Sequence, residues 1–375
     1  MDFTLSPEQL LIKDSVASFV LRQAQDKPGG RAANDNWPTF AELGWLALGA
    51  PEDVGGFGGP LETLLLMEQF GRGLVRSGYV AQVVLAGTIL RDANRVDRLQ
   101  RLAEGDERFA VAYEEPAARY DAARVATTAS LEAAASGHGE YTITGSKVRV
   151  LDAGTADTLI VSARTDDGIT LFAVPAASTQ RTPYAAEDGS DVADVRLDGV
   201  RVGADALIGE VGGGLALLER GIDHATGALC AEALGLMSVM LEATVDYTKQ
   251  RQQFGVPIAS FQALQHRMAE MFIELELARS MAYLAAMTLT EENDPVARRR
   301  GISAAKVQIA KSGRFVGQNA IQLHGGIGMS EEYKVGHYFK RMTLVERLLG
   351  DADFHLRRFL ASRRATAAAE LVAVG

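Results

Sequence analysis

From Phe261 onward the chain carries a helical period that it does not lose. Phe261, Leu264, Met268, Met271, Leu275, Ala278, Ala282 and Ala285 fall at alternating three- and four-residue spacings. That repeat places apolar side chains along one face of an α-helix. Ile302, Ala305, Ile309, Val316 and Leu323 repeat the pattern on a second helix, opened by Asp294-Pro295. An N-cap followed by proline at the first helical position is a start signal. Long helices with one apolar stripe bury it against each other, so residues 211–375 are expected to form an antiparallel four-helix bundle.

The remainder divides by texture. Ser6-Pro7-Glu8-Gln9 reads as a capping box, with Leu10, Leu11, Val16, Phe19 and Val20 as the apolar face of the first helix. Residues 1–107 continue as helices, interrupted by the glycine-rich PEDVGGFGG at 51–59. Residues 108–210 are different: RFAVAYEEP, EYTITGSKVRV, DTLIVSART, ITLFAVPA and DVADVRLDGVRV are short, rich in β-branched residues and separated by turn formers. Asp166-Asp167-Gly168 reads as a hairpin turn between two of them. The fold expected is mainly α with a central β domain.

Composition excludes several classes of function. A formal net charge of -10 provides no basic face for nucleic acid. The single cysteine, Cys230, lies among Leu229, Leu234 and Leu236; it permits no disulfide framework or thiolate metal cluster, and a buried, inert thiol is expected. The opening MDFTLSPEQ has no basic region of a signal peptide, and no apolar run approaches the ~20 residues of a membrane span. A soluble, cytoplasmic protein is expected.

Two stretches carry more than fold information: RQQFGVPIASFQALQHRMAEM at 251–271 and AIQLHGGIGMSEEY at 320–333. With PEDVGGFGG, DVRLDGVRV and LIGEVGGG in the same order, the chain resembles the acyl-CoA dehydrogenase family of flavoproteins over nearly its whole length. The resemblance implies an N-terminal helical domain, a middle β-barrel and a C-terminal four-helix bundle that drives oligomerisation. It also implies α,β-dehydrogenation of an acyl-CoA thioester by FAD, a carboxylate taking the α-proton while the β-hydride passes to the flavin. Electron-transferring flavoprotein is the implied acceptor. In the family, the arginine and phenylalanine of R-x-x-F-G, a following glutamine and a Q-x-x-G-G turn contact the ADP half of an FAD held mainly by a neighbouring subunit. Those positions are Arg251, Phe254, Gln262, Gln322, Gly325 and Gly326. A guanidinium offers paired donors to a pyrophosphate, and glycines let the backbone approach it.

Other positions depart from the family pattern together. Where T-E-P-x-A-G-S-D serves the flavin ring, this chain has Glu114-Glu115-Pro116-Ala117-Ala118-Arg119-Tyr120-Asp121. Where a W-I-T segment lines the isoalloxazine, it has Val148-Arg149-Val150-Leu151, and exposed strand arginines are expected at these sites. The glutamate of the Y-E-G-T turn aligns with Leu349, and the alternative base position on the first bundle helix aligns with Ala225. Neither accepts a proton. Asp351 is a weak substitute, with Asp353, His224 and Glu346 behind it, although Asp351 and Asp353 also suit the start of the final helix. His355 and His337 are expected on helix surfaces.

Residues serving a neighbour's ADP are kept, and those serving the chain's own flavin ring are lost. HGGIGMSEEYKVGHYFKRM at 324–342 and the GDAD turn at 350–353 resemble small, non-catalytic subunits of the family, such as those of pimeloyl-CoA dehydrogenase and of heteromeric steroid acyl-CoA dehydrogenases. An α2β2 assembly with a subunit carrying the glutamate is expected. The alternatives are a self-sufficient homotetrameric dehydrogenase with a relocated base, a non-redox scaffold, and a flavin oxidase or monooxygenase on the same fold.

Overall fold

A computed structural model describes residues 5–26, 36–133, 139–291 and 293–374. The helices are α1 (Pro7–Asp26), α2 (Trp37–Glu42), α3 (Pro60–Gly73), α4 (Gly87–Asp92) and α5 (Val96–Glu104), then α6 (Gly214–Gln250), α7 (Gln262–Glu291), α8 (Pro295–His324), α9 (Lys334–Arg347) and α10 (Ala352–Val374). The strands are β1 (Phe109–Ala112), β2 (Thr128–Ala133), β3 (Gly139–Leu151), β4 (Thr158–Thr165), β5 (Gly168–Pro175), β6 (Gln180–Ala185), β7 (Asp191–Gly203) and β8 (Leu207–Ile208), followed by the short pair β9 (Gln252–Gln253) and β10 (Val256–Pro257). The order helical, β, helical stands as expected. By packing the chain forms two compact units, one of Met1–Asn34, Pro60–Arg76 and Thr226–Gly375, the other of Asp35–Gly59 and Ser77–Ala225.

Apart from the short β9–β10 pair, the regular elements of the first unit are helices. Ser6 and Gln9 form the reciprocal capping box at α1, each side chain taking the other's backbone N–H at 3.2 and 2.9 Å. Val16 and Phe19 are buried, and Phe19 packs on Phe70 of α3. Leu10 and Leu11, expected on that face, are exposed at 46% and 70%. Asp294 caps α8 as expected, accepting from Val296 and Ala297 N–H. The stripes of α7 and α8 are buried from Met271 and Ile302 onward.

Where α3 meets α6, the backbones approach through glycine. A Cβ on Gly71 would lie 2.0 Å from the Glu232 carbonyl oxygen, and one on Gly235 would lie 2.0 Å from that of Glu68. Contrary to the expectation that no run approaches a membrane span, α6 is long and apolar enough to cross one, but 89% of that window is buried inside the protein, as for a core helix. Cys230 sits on it with no exposure, and burial pushes its thiol up to about 11. The inert thiol is as expected.

The second unit centres on a mixed sheet of order β6-β7-β3-β2-β4-β5-β8, with β1 parallel to β4. Ile143, Leu159, Val161 and Phe172 form its core without exposure. Thr165 pairs with Gly168, so Asp166-Asp167 is the two-residue hairpin turn expected. β7 alternates Ala193, Val195 and Leu197 inward with Asp194, Arg196 and Asp198 outward, as a sheet with one covered face requires. β6 has no such signal, because it is an edge strand of mostly exposed residues including Pro183.

Candidate functional site

In the helical unit, α6 ends at Gln250 and the chain turns at once into the β9–β10 hairpin. Its two loop residues, Phe254 and Gly255, have φ of 54° and 79°. A tight hairpin turn of this hand requires positive φ at both centres, which glycine adopts freely and phenylalanine adopts under strain. The strained ring is 92% exposed, edge-on to Phe261 at 6.2 Å. Arg251 is sewn in at both backbone ends, its N–H donating to the Tyr247 carbonyl and its carbonyl accepting from Ile258, each at 2.8 Å. Its exposed guanidinium has no ion-pair partner among the described residues. Gln262 opens α7, exposed.

The second segment is the end of α8. Gln322 is exposed in the last turn, and Gly325 closes the helix by donating to the Ile321 and Gln322 carbonyls. Gly325 has φ 62° and ψ -141°, a region open in practice only to glycine. A Cβ on Gly325 or Gly326 would meet nothing within 4 Å. Open backbone, two exposed amides and an unpaired cation suit a phosphate-bearing ligand. The two segments rise from adjacent helix ends, joined by Tyr247 and His324, whose rings stack 4.5 Å apart.

The turn holding Leu349 belongs to the same unit. Leu349 is only 4% exposed and has φ 57°. Its carbonyl accepts from His355 Nε2 at 3.1 Å, and the other ring nitrogen accepts from Ser303 Oγ at 3.3 Å. Lys306, fully buried on α8, donates Nζ to the Val345 and Leu348 carbonyls at 2.5 and 3.0 Å, closing the C-terminus of α9. Burial lowers the Lys306 pKa to about 8, against the pull of Cys230, Glu346 and Glu232. A lysine inside an apolar stripe reads as a solvated residue, and no pattern in the sequence marks it. His355 corrects an expectation: it is not on a helix surface but wholly buried, and burial, then Lys306 and Arg358, lower its pKa to about 3.

Two of the substitute bases, Asp351 and Glu346, are engaged in the fold. Asp351 accepts the Phe354 N–H at 2.8 Å, the N-cap of α10, and Asp353 lies exposed in its first turn. Glu346 pairs with Arg314. Ala225 and His224 lie on α6 within the second unit, buried at 0% and 8% exposure.

In the β unit, Glu115 and Glu114 have separate tasks. Glu115 accepts from Ala126 N–H, Thr127 N–H, Thr127 Oγ1 and Lys147 Nζ, at 2.7–3.0 Å. Lys147 is wholly buried and also donates to Ser162; burial lowers its pKa to about 8 while Glu115 opposes. The Glu-Pro that survives from the family motif thus holds the loop to the sheet. Glu114 instead accepts from the Arg149 guanidinium, Nε lying at 3.0 Å, and from the Tyr113 hydroxyl. Burial raises the Glu114 pKa, with Arg149 opposing. Arg149 sits at a β-bulge with φ 53°, and its N–H donates to Asp194. The two departures from the flavin-side pattern are therefore one ion pair. Arg119 replaces the motif's glycine and keeps a left-handed φ of 51°. Beside it Ala117, Asp121, Arg124 and Arg164 line a concavity of about 320 Å³.

Comparison with known proteins gives a consistent set of matches. Residues 6–105 match the acyl-CoA dehydrogenase N-terminal domain, and residues 212–363 match the acyl-CoA dehydrogenase C-terminal domain. A probable acyl-CoA dehydrogenase of Bacillus subtilis is 30% identical, covering 97% of this chain and 99% of its own length. The ChsE4–ChsE5 complex of Mycobacterium tuberculosis contains a chain with TM-score 0.82 and 27% identity, covering 97% and 99%. A structure of PigA with FAD and proline has TM-score 0.88 and 26% identity, covering 97% and 100%.

Proposed function

The chain belongs to the acyl-CoA dehydrogenase family, and from that premise we propose that it is a subunit of an FAD-dependent acyl-CoA dehydrogenase that carries no base of its own and completes a partner's FAD site. The observation that carries this reading is Leu349. An aliphatic side chain is held, buried, in a turn fixed by Lys306 and His355, while the turn's carboxylate caps α10. On this reading the proton acceptor comes from another chain.

The retained residues have a use in such an assembly. Arg251 supplies a free guanidinium, Phe254 an exposed ring, and Gln262 and Gln322 exposed amides; Gly325 and Gly326 leave the backbone open to a pyrophosphate. The chemistry the flavin supplies is acceptance of the β-hydride. On this chain's β unit, the Glu114–Arg149 pair stands where the family presents a threonine and a tryptophan to the ring. A charged pair there fits an isoalloxazine poorly. Likeness to a chain of the ChsE4–ChsE5 complex supports a two-component organisation. Likeness to a steroid acyl-CoA dehydrogenase supports a steroid or other bulky acyl-CoA as substrate class, and the reading extends to an α2β2 assembly in the cytoplasm. Family membership supports electron-transferring flavoprotein as acceptor.

The test replaces Arg251 while the partner stays intact. Arg251→Ala should weaken FAD binding to the assembly by about tenfold or more, given a charge-assisted contact to phosphate. Unchanged FAD affinity, with the variant still assembled, would rule the reading out.

A further inference from the structure

The six exposed positions lie on two segments that belong to different helices, and what joins them is a cluster of rings beneath. Tyr247 lies one turn before Arg251 and is tied to it through the backbone. His324 is the last residue of α8, immediately before Gly325. Their rings lie 4.5 Å apart and 26° from parallel. Tyr333, beyond the glycine turn, closes the cluster at 4.9 Å from His324 and 6.1 Å from Tyr247. His324 is 3% exposed, and its Nδ1–H donates to the Ala320 carbonyl of its own helix at 2.7 Å, which fixes the ring. The Ala243 carbonyl of α6 also faces it. Burial lowers its pKa against both carbonyls, so a neutral ring stacks on the phenol.

The β9–β10 hairpin has two residues per strand, too few to hold itself. Its direction must be set from below, and Tyr247 is the part of α6 in the right place. We propose that the Tyr247–His324–Tyr333 stack is a positioning device that keeps the hairpin bearing Arg251 and Phe254 in register with the Gly325–Gly326 turn, so that both meet one dinucleotide. This rests on the reading that these residues complete a partner's FAD site. Holding two contact groups in advance of binding removes an ordering cost that two loose segments would incur.

Amide hydrogen exchange on this chain and FAD titration of the assembly test it together. His324→Ala and Tyr247→Ala are expected to speed exchange at both 252–257 and 325–329, and to weaken FAD binding about tenfold. His324→Phe and Tyr247→Phe keep a ring and should stay within about twofold of the parent. Tyr247 is half-buried, so Tyr247→Ala carries the test if His324→Ala does not fold. Faster exchange in only one segment, or in neither, overturns the positioning role. So does FAD affinity unchanged by the alanine variants where Arg251→Ala weakens it. If Arg251→Ala has no effect, the lost element is the FAD-completing reading, and the exchange data still decide whether the stack couples the segments.

Discussion

Leu349 and Phe254 both sit in left-handed backbone, and the two strains have different meanings. At Leu349 the strain is over-determined by Lys306, His355 and the Asp351 cap, in a turn that carries no acid or base. At Phe254 the ring is exposed and packs little, so its strain is uncompensated within the chain. Phe254→Gly should therefore raise stability by a few tenths to about 1 kcal/mol in denaturant titration, since left-handed backbone costs a Cβ-bearing residue about 1–2 kcal/mol and glycine's unfolded-state entropy returns part of the gain. The same variant should weaken the assembly's hold on FAD. His355 makes a prediction in pH. Its folded pKa, about 3, lies below the ordinary 6.5, so the unfolded chain binds a proton first as pH falls. Its contribution is complete above pH 6.5 and is lost between 6.5 and about 3. His355→Gln should flatten that acid limb of stability, by an amount on the order of 5 kcal/mol, measured by urea unfolding across the window.

Among the elements, start signals were the most legible feature: Ser6 with Gln9 and Asp294 with Pro295 act in the structure as their spacing predicts. Local hydrogen bonds within four residues are written in local sequence. The Glu114–Arg149 pair was not legible, because a bulge in β3 and the loop after β1 bring together residues far apart in the chain. Lys306 and His355 escaped for a related reason: their burial follows from where α9 ends and α10 begins, not from the pattern around them. Conversely Leu10 and Leu11 fit the apolar period of α1 yet face solvent, although Gln9 just before them already donates to Glu62 of α3. The α3–α6 crossing gives the sharpest element-level prediction. A Cβ at Gly235 would meet the Glu68 carbonyl at 2.0 Å and the Arg72 N at 2.6 Å, backbone atoms that cannot rotate away. Gly235→Ala should cost about 3 kcal/mol or more, or prevent folding, despite alanine's higher helix propensity. Thermal unfolding reads it directly; a rise in Tm would show that the helices separate freely.

For the whole molecule, the division of retained and lost residues is the central claim. In the proposed reading, the positions that serve a dinucleotide held elsewhere are exposed and open, with Arg251 in no ion pair among the described residues, whereas an ion pair and a leucine stand at the proposed positions of a flavin ring and a base. The family and its helical, β, helical order were legible in sequence; the ring stack beneath the exposed segments, and the groups that fix the Leu349 turn, needed the fold. The most direct measurement is FAD bound per chain, released by denaturation and read by absorbance, for the chain alone and for the chain co-purified with a family member that keeps the glutamate. The account predicts a nearly colourless chain alone and about one FAD per heteromeric pair, its retention dependent on Arg251. About one FAD per chain in the isolated protein, reduced by an acyl-CoA without a partner, would contradict it.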